Sequence, residues 1–237
     1  MKTLIKNGLV VDPANLVQTH LNLLLEDGKI VAVTEEEPEA DRVIDAAGKV
    51  VAPGFIDIHM HEDPVKDDKI QFCIFDAMLR MGVTTAVGGN CGINVYDPVK
   101  YLDLLERDGA PVNVMMFAGH QYYREAAGAL DKYSPVTEEQ RKMMKKGLEE
   151  ALEAGCVGIS YGLRYVPGTG REEFLDTASC CQKEHRLISA HVRDDEERVF
   201  GAVAEVAEAG KIFDIPVEIS HIGSMAGFGQ MEQLLKQ

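Results

Sequence analysis

The sequence predicts an α/β protein: an incomplete (β/α)8 barrel of about six βα units, preceded by a small N-terminal β domain. Three observations carry this expectation. Up to Pro53-Gly54 the chain reads as short β-rich runs between turn formers; beyond it, apolar strands alternate with amphipathic helical stretches; and histidine or cysteine follows at least four of those strands. The expected domains are therefore residues 1–52, sandwich-like and β-rich, and residues 53–237, the partial barrel.

In the first part the strand candidates are Leu4 to Val11, Leu21 to Leu25, Lys29 to Val33 and Val43 to Val51, with turns at Asp12-Pro13, Asp27-Gly28 and Ala47-Gly48. Asp-Gly between two apolar runs is a hairpin signal. In the second part the strands are Phe55 to His59, Thr84 to Gly88, Val112 to Ala118, Val157 to Tyr161, Leu187 to His191 and Val217 to His221. Helical patterns run near Lys69 to Met81, Pro98 to Asp108, Thr137 to Ala154, Arg171 to Glu184 and Asp194 to Lys211, with Thr137 and Gln140 spaced as a capping box. A further helix starts near Gly229, and the sequence ends in it without a cap, Gly or Pro. Six units are two short of a closed barrel, so the expectation is the front part of a longer protein.

Composition narrows the function classes. The 237 residues are 46% hydrophobic, enough for a real core, and their net charge of −15 argues against a nucleic-acid surface. A small molecule or another protein is the expected partner. Five cysteines, two of them adjacent at Cys180-Cys181, make a poor disulfide framework and fit a reducing compartment, so a cytoplasmic location is expected. The opening apolar run is cut at Lys6 and Asn7, and no stretch approaches the roughly 20 apolar residues of a membrane helix, so no membrane association is expected.

The strand ends carry the chemistry. His59 and His61 form His-x-His after the first barrel strand, and period-two alternation sends both imidazoles to one side, an arrangement suited to a zinc-class ion. Cys91 follows Val-Gly-Gly-Asn, where glycines let backbone approach an ion; a thiolate is a strong zinc ligand, although a free cysteine is otherwise a small buried hydrophobe, the reading for Cys73, Cys156, Cys180 and Cys181. His191 and His221 close equivalent apolar runs one βα unit apart, which would bring them side by side at one rim. His120 either reaches substrate or caps a loop; His20 and His185 read as solvated.

These residues resemble the amidohydrolase superfamily and, within it, the N-acyl-D-amino-acid deacylase group. The matching passages are Val-Val-Ala-Pro-Gly-Phe-Ile-Asp-Ile-His-Met-His, Gly-Gly-Asn-Cys-Gly, Gly-Ile-Ser-Tyr-Gly-Leu-Arg-Tyr-Val-Pro-Gly, Ala-His-Val-Arg-Asp-Asp and Ile-Ser-His, spread from the first barrel strand to about residue 223. The resemblance implies that Cys91, His191 and His221 bind one zinc tightly and that His59 and His61 offer a second, weaker position. Hydantoinase-like relatives bridge two metals with a carboxylated lysine at the end of the fourth strand; Gly158 to Gly162 contains no lysine, which favours the deacylase reading. The family's general base is an aspartate after the eighth strand, beyond this sequence. Relatives also build the small β domain from both chain ends.

The implied reaction is hydrolysis of a linear amide, most directly of an N-acyl-D-amino acid: zinc lowers the pKa of a bound water toward ~7, and the hydroxide attacks a carbonyl that the metal polarises. Tyr161 or Tyr165 could supply a hydroxyl to the developing oxyanion or merely pack. Arg193 could meet a substrate carboxylate or pair with Asp194 or Asp195. Relatives commonly carry a lysine two residues after the Ile-Ser-His histidine where this chain has Gly223, which argues against carboxylate recognition by that route. The competing readings are a cyclic-amide hydrolase and an inactive metal-binding fragment. An open parallel sheet would also favour self-association.

Overall fold

An apolar-rich run forms β1 (Lys2–Asp12), and the chain reverses twice to lay down β2 (Val17–Glu26) and β3 (Lys29–Thr34), each antiparallel to its predecessor. Asp27-Gly28 makes the second reversal with φ of 50° and 78°, the backbone of a two-residue hairpin whose twist matches that of the strands. The last predicted run splits. Its halves, β4 (Arg42–Asp45) and β5 (Val50–Val51), both pair parallel with β1, because a turn at Ala47-Gly48 interrupts what the sequence reads as one strand. The structure, a computed structural model, describes residues 1–227 and 229–236. Its first compact unit is Met1–Phe55, which contains this five-stranded sheet; its second is Ile56–Gln237.

The second architecture begins with β6 (Phe55–Asp57), followed by a small hairpin of β7 (Val65–Lys66) and β8 (Lys69–Ile70). Then come α1 (Ile74–Arg80), β9 (Val83–Gly88), α2 (Pro98–Asp108), β10 (Asn113–Gly119), α3 (His120–Ala126), α4 (Glu138–Glu153), β11 (Gly158–Gly162), α5 (Arg171–Ala178), β12 (Leu187–His191), α6 (Val199–Phe213), β13 (Val217–Ile219), α7 (Ile222–Met225) and α8 (Met231–Leu234). One curled sheet of six strands runs in the order β6, β9, β10, β11, β12, β13, and the pairs from β9 to β13 are parallel. Each strand lies beside its successor, so the C-terminal ends share one rim, the half-barrel geometry expected of repeated βα units.

Several boundaries differ from the sequence expectation, each for a local reason. The helix expected from Lys69 starts at Ile74, because Lys69-Ile70 pairs in the hairpin and the buried Asp63 carboxylate accepts the backbone N–H groups of Cys73, Ile74 and Phe75 at 2.8–3.1 Å. Those orphan donors and the helix dipole place the start there. The stretch expected as helix from Arg171 to Glu184 leaves α-helix after Ala178 for a 3-10 turn, and α6 starts only at Val199. Beyond Phe228, which lies outside the described residues, the final helix reduces to α8. At α4 the expected capping box forms, with Gln140 N donating to Thr137 Oγ1 at 3.2 Å and Thr137 N to Gln140 Oε1 at 2.9 Å.

Helices pack on the sheet through Met116, Leu148, Ile159, Phe174, Ile188 and Val206, all buried. Cys156, Cys180 and Cys181 join this interior, but Cys73 is exposed and its thiol donates to Asp63 Oδ1 at 2.9 Å, a correction to its reading as a buried hydrophobe. No helix among the described residues is long and apolar enough to cross a membrane.

One buried ionic network ties α3 to α5. Arg124, 2% exposed, donates through Nε to Glu173 Oε1 at 3.0 Å; His120 Nε2 lies 2.9 Å from the same oxygen, and the Arg124 fork also reaches the carbonyls of Asp131 and Ser134. Arg124→Met would leave Glu173 buried without its cation and orphan those carbonyls, a loss of about 3–5 kcal/mol. Thermal denaturation should fall by roughly 6–20 °C for a chain of this size. A shift within two degrees of the parent would show that the network does not hold the fold together.

Candidate metal centre

Four segments deliver metal-class ligands to one end of the sheet. His59 and His61 follow β6, with ring centroids 6.0 Å apart; His59 is half-buried and His61 exposed. Cys91 sits in the loop after β9, His191 ends β12, and His221 lies just past β13. Two overlapping groups result, His59-His61-Cys91 and Cys91-His191-His221, with the ligand atoms in each within 4.8 Å of one another. Cys91 belongs to both.

That thiol is aimed by a strained backbone. Gly89, Cys91 and Gly92 all have positive φ, at 75°, 57° and 76°, and Cys91 is the non-glycine residue among them. Gly92 and Gly162 let the loop pack tightly: a Cβ on Gly92 would stand 2.8 Å from Gly162 N, and one on Gly162 would strike the Cys91 carbonyl. Side chains clasp the same loop. Glu62, buried directly after His61, accepts from Gly89 N and Val95 N at 2.9 Å each, and Gly92 N donates to Ser160 Oγ at 2.9 Å. These donors offset part of the cost of burying the Glu62 carboxyl.

The ligand atoms converge at spacings suited to one ion. Cys91 Sγ lies 3.5 Å from His59 Nε2, 3.9 Å from His191 Nδ1 and 3.7 Å from His221 Nε2, while His191 Nδ1 and His221 Nε2 are 2.9 Å apart. Tetrahedral bonds of about 2.0 Å to nitrogen and 2.3 Å to sulfur would separate ligand atoms by roughly 3.3–3.6 Å, so the set brackets that value. The outer nitrogens His59 Nδ1, His191 Nε2 and His221 Nδ1 are buried without a hydrogen-bond partner. A thiol and two or three imidazoles turned toward one another, with their outer nitrogens unpartnered, are a donor set that fits a zinc-class cation.

Electrostatics agree. Burial, then the charge of His221, pushes both His59 and His191 down to about 4, so these rings are neutral and available as ligands near pH 7. Burial, then the Glu218 carboxylate, pushes the Cys91 thiol up to about 11, so coordination would expel its proton.

The remaining sequence-predicted residues divide. Tyr165 stays at the centre, with its hydroxyl 3.0 Å from His191 Nδ1 and its ring centroid 4.4 Å from that imidazole. Tyr161 does not: it is fully buried, and its hydroxyl meets Thr177 Oγ1 at 3.0 Å behind the sheet. His120 likewise turns into the core to Glu173 and is 1% exposed, which corrects its expected place beside substrate. Period-two alternation explains Tyr161, since neighbours on a strand point to opposite faces, whereas His120 opens α3 and is drawn inward by the Glu173 carboxylate. Arg193 pairs with Glu205, its Nε 3.0 Å from Oε2 and its Nη2 2.8 Å from Oε1, instead of Asp194 or Asp195; Nη2 also donates to Thr169 O. Asp195 is taken by Arg164 at 2.7 Å. Sequence reasoning missed Glu62, Asn90 and Ser160. Their one signal is position, each a polar residue beside a ligand or inside an apolar strand.

Comparison with known proteins matches this geometry to a family. The D-aminoacylase of Alcaligenes xylosoxydans xylosoxydans is 30% identical over 98% of this chain and 53% of its own length. The solved N-acyl-D-glutamate deacylase of Bordetella bronchiseptica, complexed with zinc and a phosphonate mimic of the tetrahedral intermediate, superposes with a TM-score of 0.82 at 28% identity, covering 99% of this chain and 54% of that one. A D-aminoacylase variant in complex with copper chloride gives a TM-score of 0.84 at 27% identity with the same coverage. The chain thus spans about half the length of the relatives it matches. The model of the amidohydrolase family matches residues 42–161, just over half of the sequence and the stretch holding His59, His61 and Cys91, and the chain therefore belongs to the amidohydrolase family.

Proposed function

We propose that the protein is a zinc-dependent hydrolase of linear amides acting on N-acyl-D-amino acids. The observation that carries this reading is the shared thiol: Cys91 stands between the pairs His191-His221 and His59-His61, where it can act as the anionic ligand in a barrel whose fourth strand offers no lysine. The likeness to the D-aminoacylase and to the N-acyl-D-glutamate deacylase supports the substrate class.

In this reading Cys91, His191 and His221 hold the tighter cation, and His59 and His61 form a weaker position that leans on Cys91. A bound divalent cation supplies Lewis-acid polarisation of the amide carbonyl and acidifies water toward a pKa of about 7. The chain does the rest by placement. Glu62 and Ser160 hold the Cys91 loop, the tight loop excludes larger side chains around the thiol, and Tyr165, 40% exposed, directs its hydroxyl to the ligand cluster where a carbonyl oxygen would develop charge. Arg193 acts as a structural clamp on the loop that carries Tyr165, because its guanidinium is committed to Glu205 and Thr169.

Three outcomes are expected. After dialysis, Cys91→Ala and His221→Ala should each lose the tightly held ion by elemental analysis; about one retained equivalent in both would rule out this ligand set. Zinc titration of metal-free protein should resolve two classes of site, with His59→Ala removing only the weaker; a single class unchanged by that substitution would remove the second position. In the full-length protein, Tyr165→Phe should lower kcat for an N-acetyl-D-amino acid by about 10²-fold at unchanged metal content. Turnover of hydantoin or dihydropyrimidine in preference to N-acetyl-D-amino acids would replace the substrate assignment with a cyclic amide.

A further inference from the structure

Beneath the ligand cluster a chain of hydrogen bonds crosses the inner face of the sheet. It starts at Glu218 in β13, whose Oε2 accepts from Ser220 Oγ at 3.0 Å and lies 2.6 Å from Ser189 Oγ in β12. Ser189 is the register partner of Glu218 in the parallel pair, so the two side chains share one layer of the sheet. The Ser189 hydroxyl also faces Asn90 Oδ1 at 3.1 Å, so its proton is shared between two acceptors. From Asn90 the amide Nδ2 continues to the carbonyls of Val87 at 2.8 Å, Ile58 at 3.2 Å and Met60 at 3.4 Å.

Every segment that carries a candidate ligand is gripped next to that ligand. Ile58 and Met60 flank His59, Asn90 precedes Cys91, Ser189 lies two residues before His191, and Ser220 precedes His221. Asn90, Ser189 and Ser220 are completely buried, where a half-made polar contact would be costly and a complete network is rigid. Glu218 is the terminal group of this network on β13, an edge strand of the six-stranded sheet. An acidic residue in a three-residue strand otherwise bounded by Val217 and Ile219 has no value to the apolar packing of that strand.

We propose that Glu218 is a positioning residue for the metal centre: through Ser189 and Asn90 it locks the His191-His221 side to the Cys91 loop and the His59 segment. This rests on the metal-centre reading above and adds to it a carboxylate whose hydrogen bonds go to Ser189 and Ser220 rather than to a ligand. Outer-shell partners of metal ligands typically change affinity 10–100-fold when removed. The action here is geometric: Gln at 218 would keep an acceptor for the two serine hydroxyls, whereas Ala would leave both without it.

The test is Co2+ titration of the metal-free full chain, followed by the thiolate-to-cobalt charge-transfer band and the visible d–d bands, with circular dichroism and thermal melting as controls for folding. Glu218→Ala should weaken Co2+ binding about 10–100-fold and alter the d–d envelope, while Glu218→Gln stays within about threefold of the parent. Should Glu218→Ala fail to fold, Ser189→Ala breaks the same chain at its middle and should weaken binding in the same range. Parent-like affinity and spectrum in Glu218→Ala, or in Ser189→Ala where that variant is the one read, overturns the proposal. Equal loss in the Ala and Gln variants at 218 overturns it too, because charge rather than position would then be responsible. Absence of the thiolate band in the parent overturns the metal-centre reading itself, and this proposal with it, a failure distinct from a normal parent band with indifferent variants.

Discussion

The candidate centre depends on one backbone constraint, the left-handed turn that carries Cys91 off the end of β9. Cys91 is the residue common to both ligand groups, and its thiol reaches them because Gly89, Cys91 and Gly92 adopt positive φ in close succession. A β-carbon-bearing residue pays for such a conformation, so the loop must be held from outside. It is held on three sides: by Glu62 from the end of β6, by Ser160 from β11, and by Gln121 N donating to Gly92 O at 2.9 Å from α3. The close approach at Gly162 then closes the space in which the loop could relax.

Polar residues inside the half-barrel follow from this constraint. Apolar packing fills the layer between sheet and helices, but the inner face near the ligands contains Asn90, Ser160, Ser189 and Ser220, all completely buried. Each has a hydrogen-bond partner on a neighbouring ligand-bearing or loop segment. Directional bonds fix the distance between segments in a way that dispersion contacts alone do not, which suits a centre whose donor atoms must sit within a few tenths of an ångström. Arg124, Glu173 and His120 use the same principle on the outer layer, where an ionic cluster joins two helices and the loop between α3 and α4.

Alternation of apolar strands with amphipathic helices was enough to place all six strands of the larger sheet within a few residues, because a period of two or 3.6 is a local property of the chain. The Thr137–Gln140 cap and the Asp27-Gly28 hairpin were equally legible, since each is complete within four residues. Residue types with metal affinity at equivalent strand ends determined the candidate set His59, His61, Cys91, His191 and His221, and repetition of one βα unit explains why they meet at one rim.

Tertiary structure alone decided which neighbours of those residues face the centre and which turn away. Tyr161 and Tyr165 read alike in the sequence, yet Tyr161 lies within β11 and points to Thr177, whereas Tyr165 follows the strand and folds back to His191. Arg193 chooses Glu205, 12 residues ahead on α6, over the acidic residues beside it, because helix placement brings that carboxylate to its fork. Glu62 and Glu218 look like solvated charges in one dimension; their donors come from segments 27 to 33 and 29 residues away, Ser220 excepted, and no local pattern contains that information. Local periodicity therefore determined the elements and the ligand types, while long-range hydrogen bonding decided how those ligands are aimed.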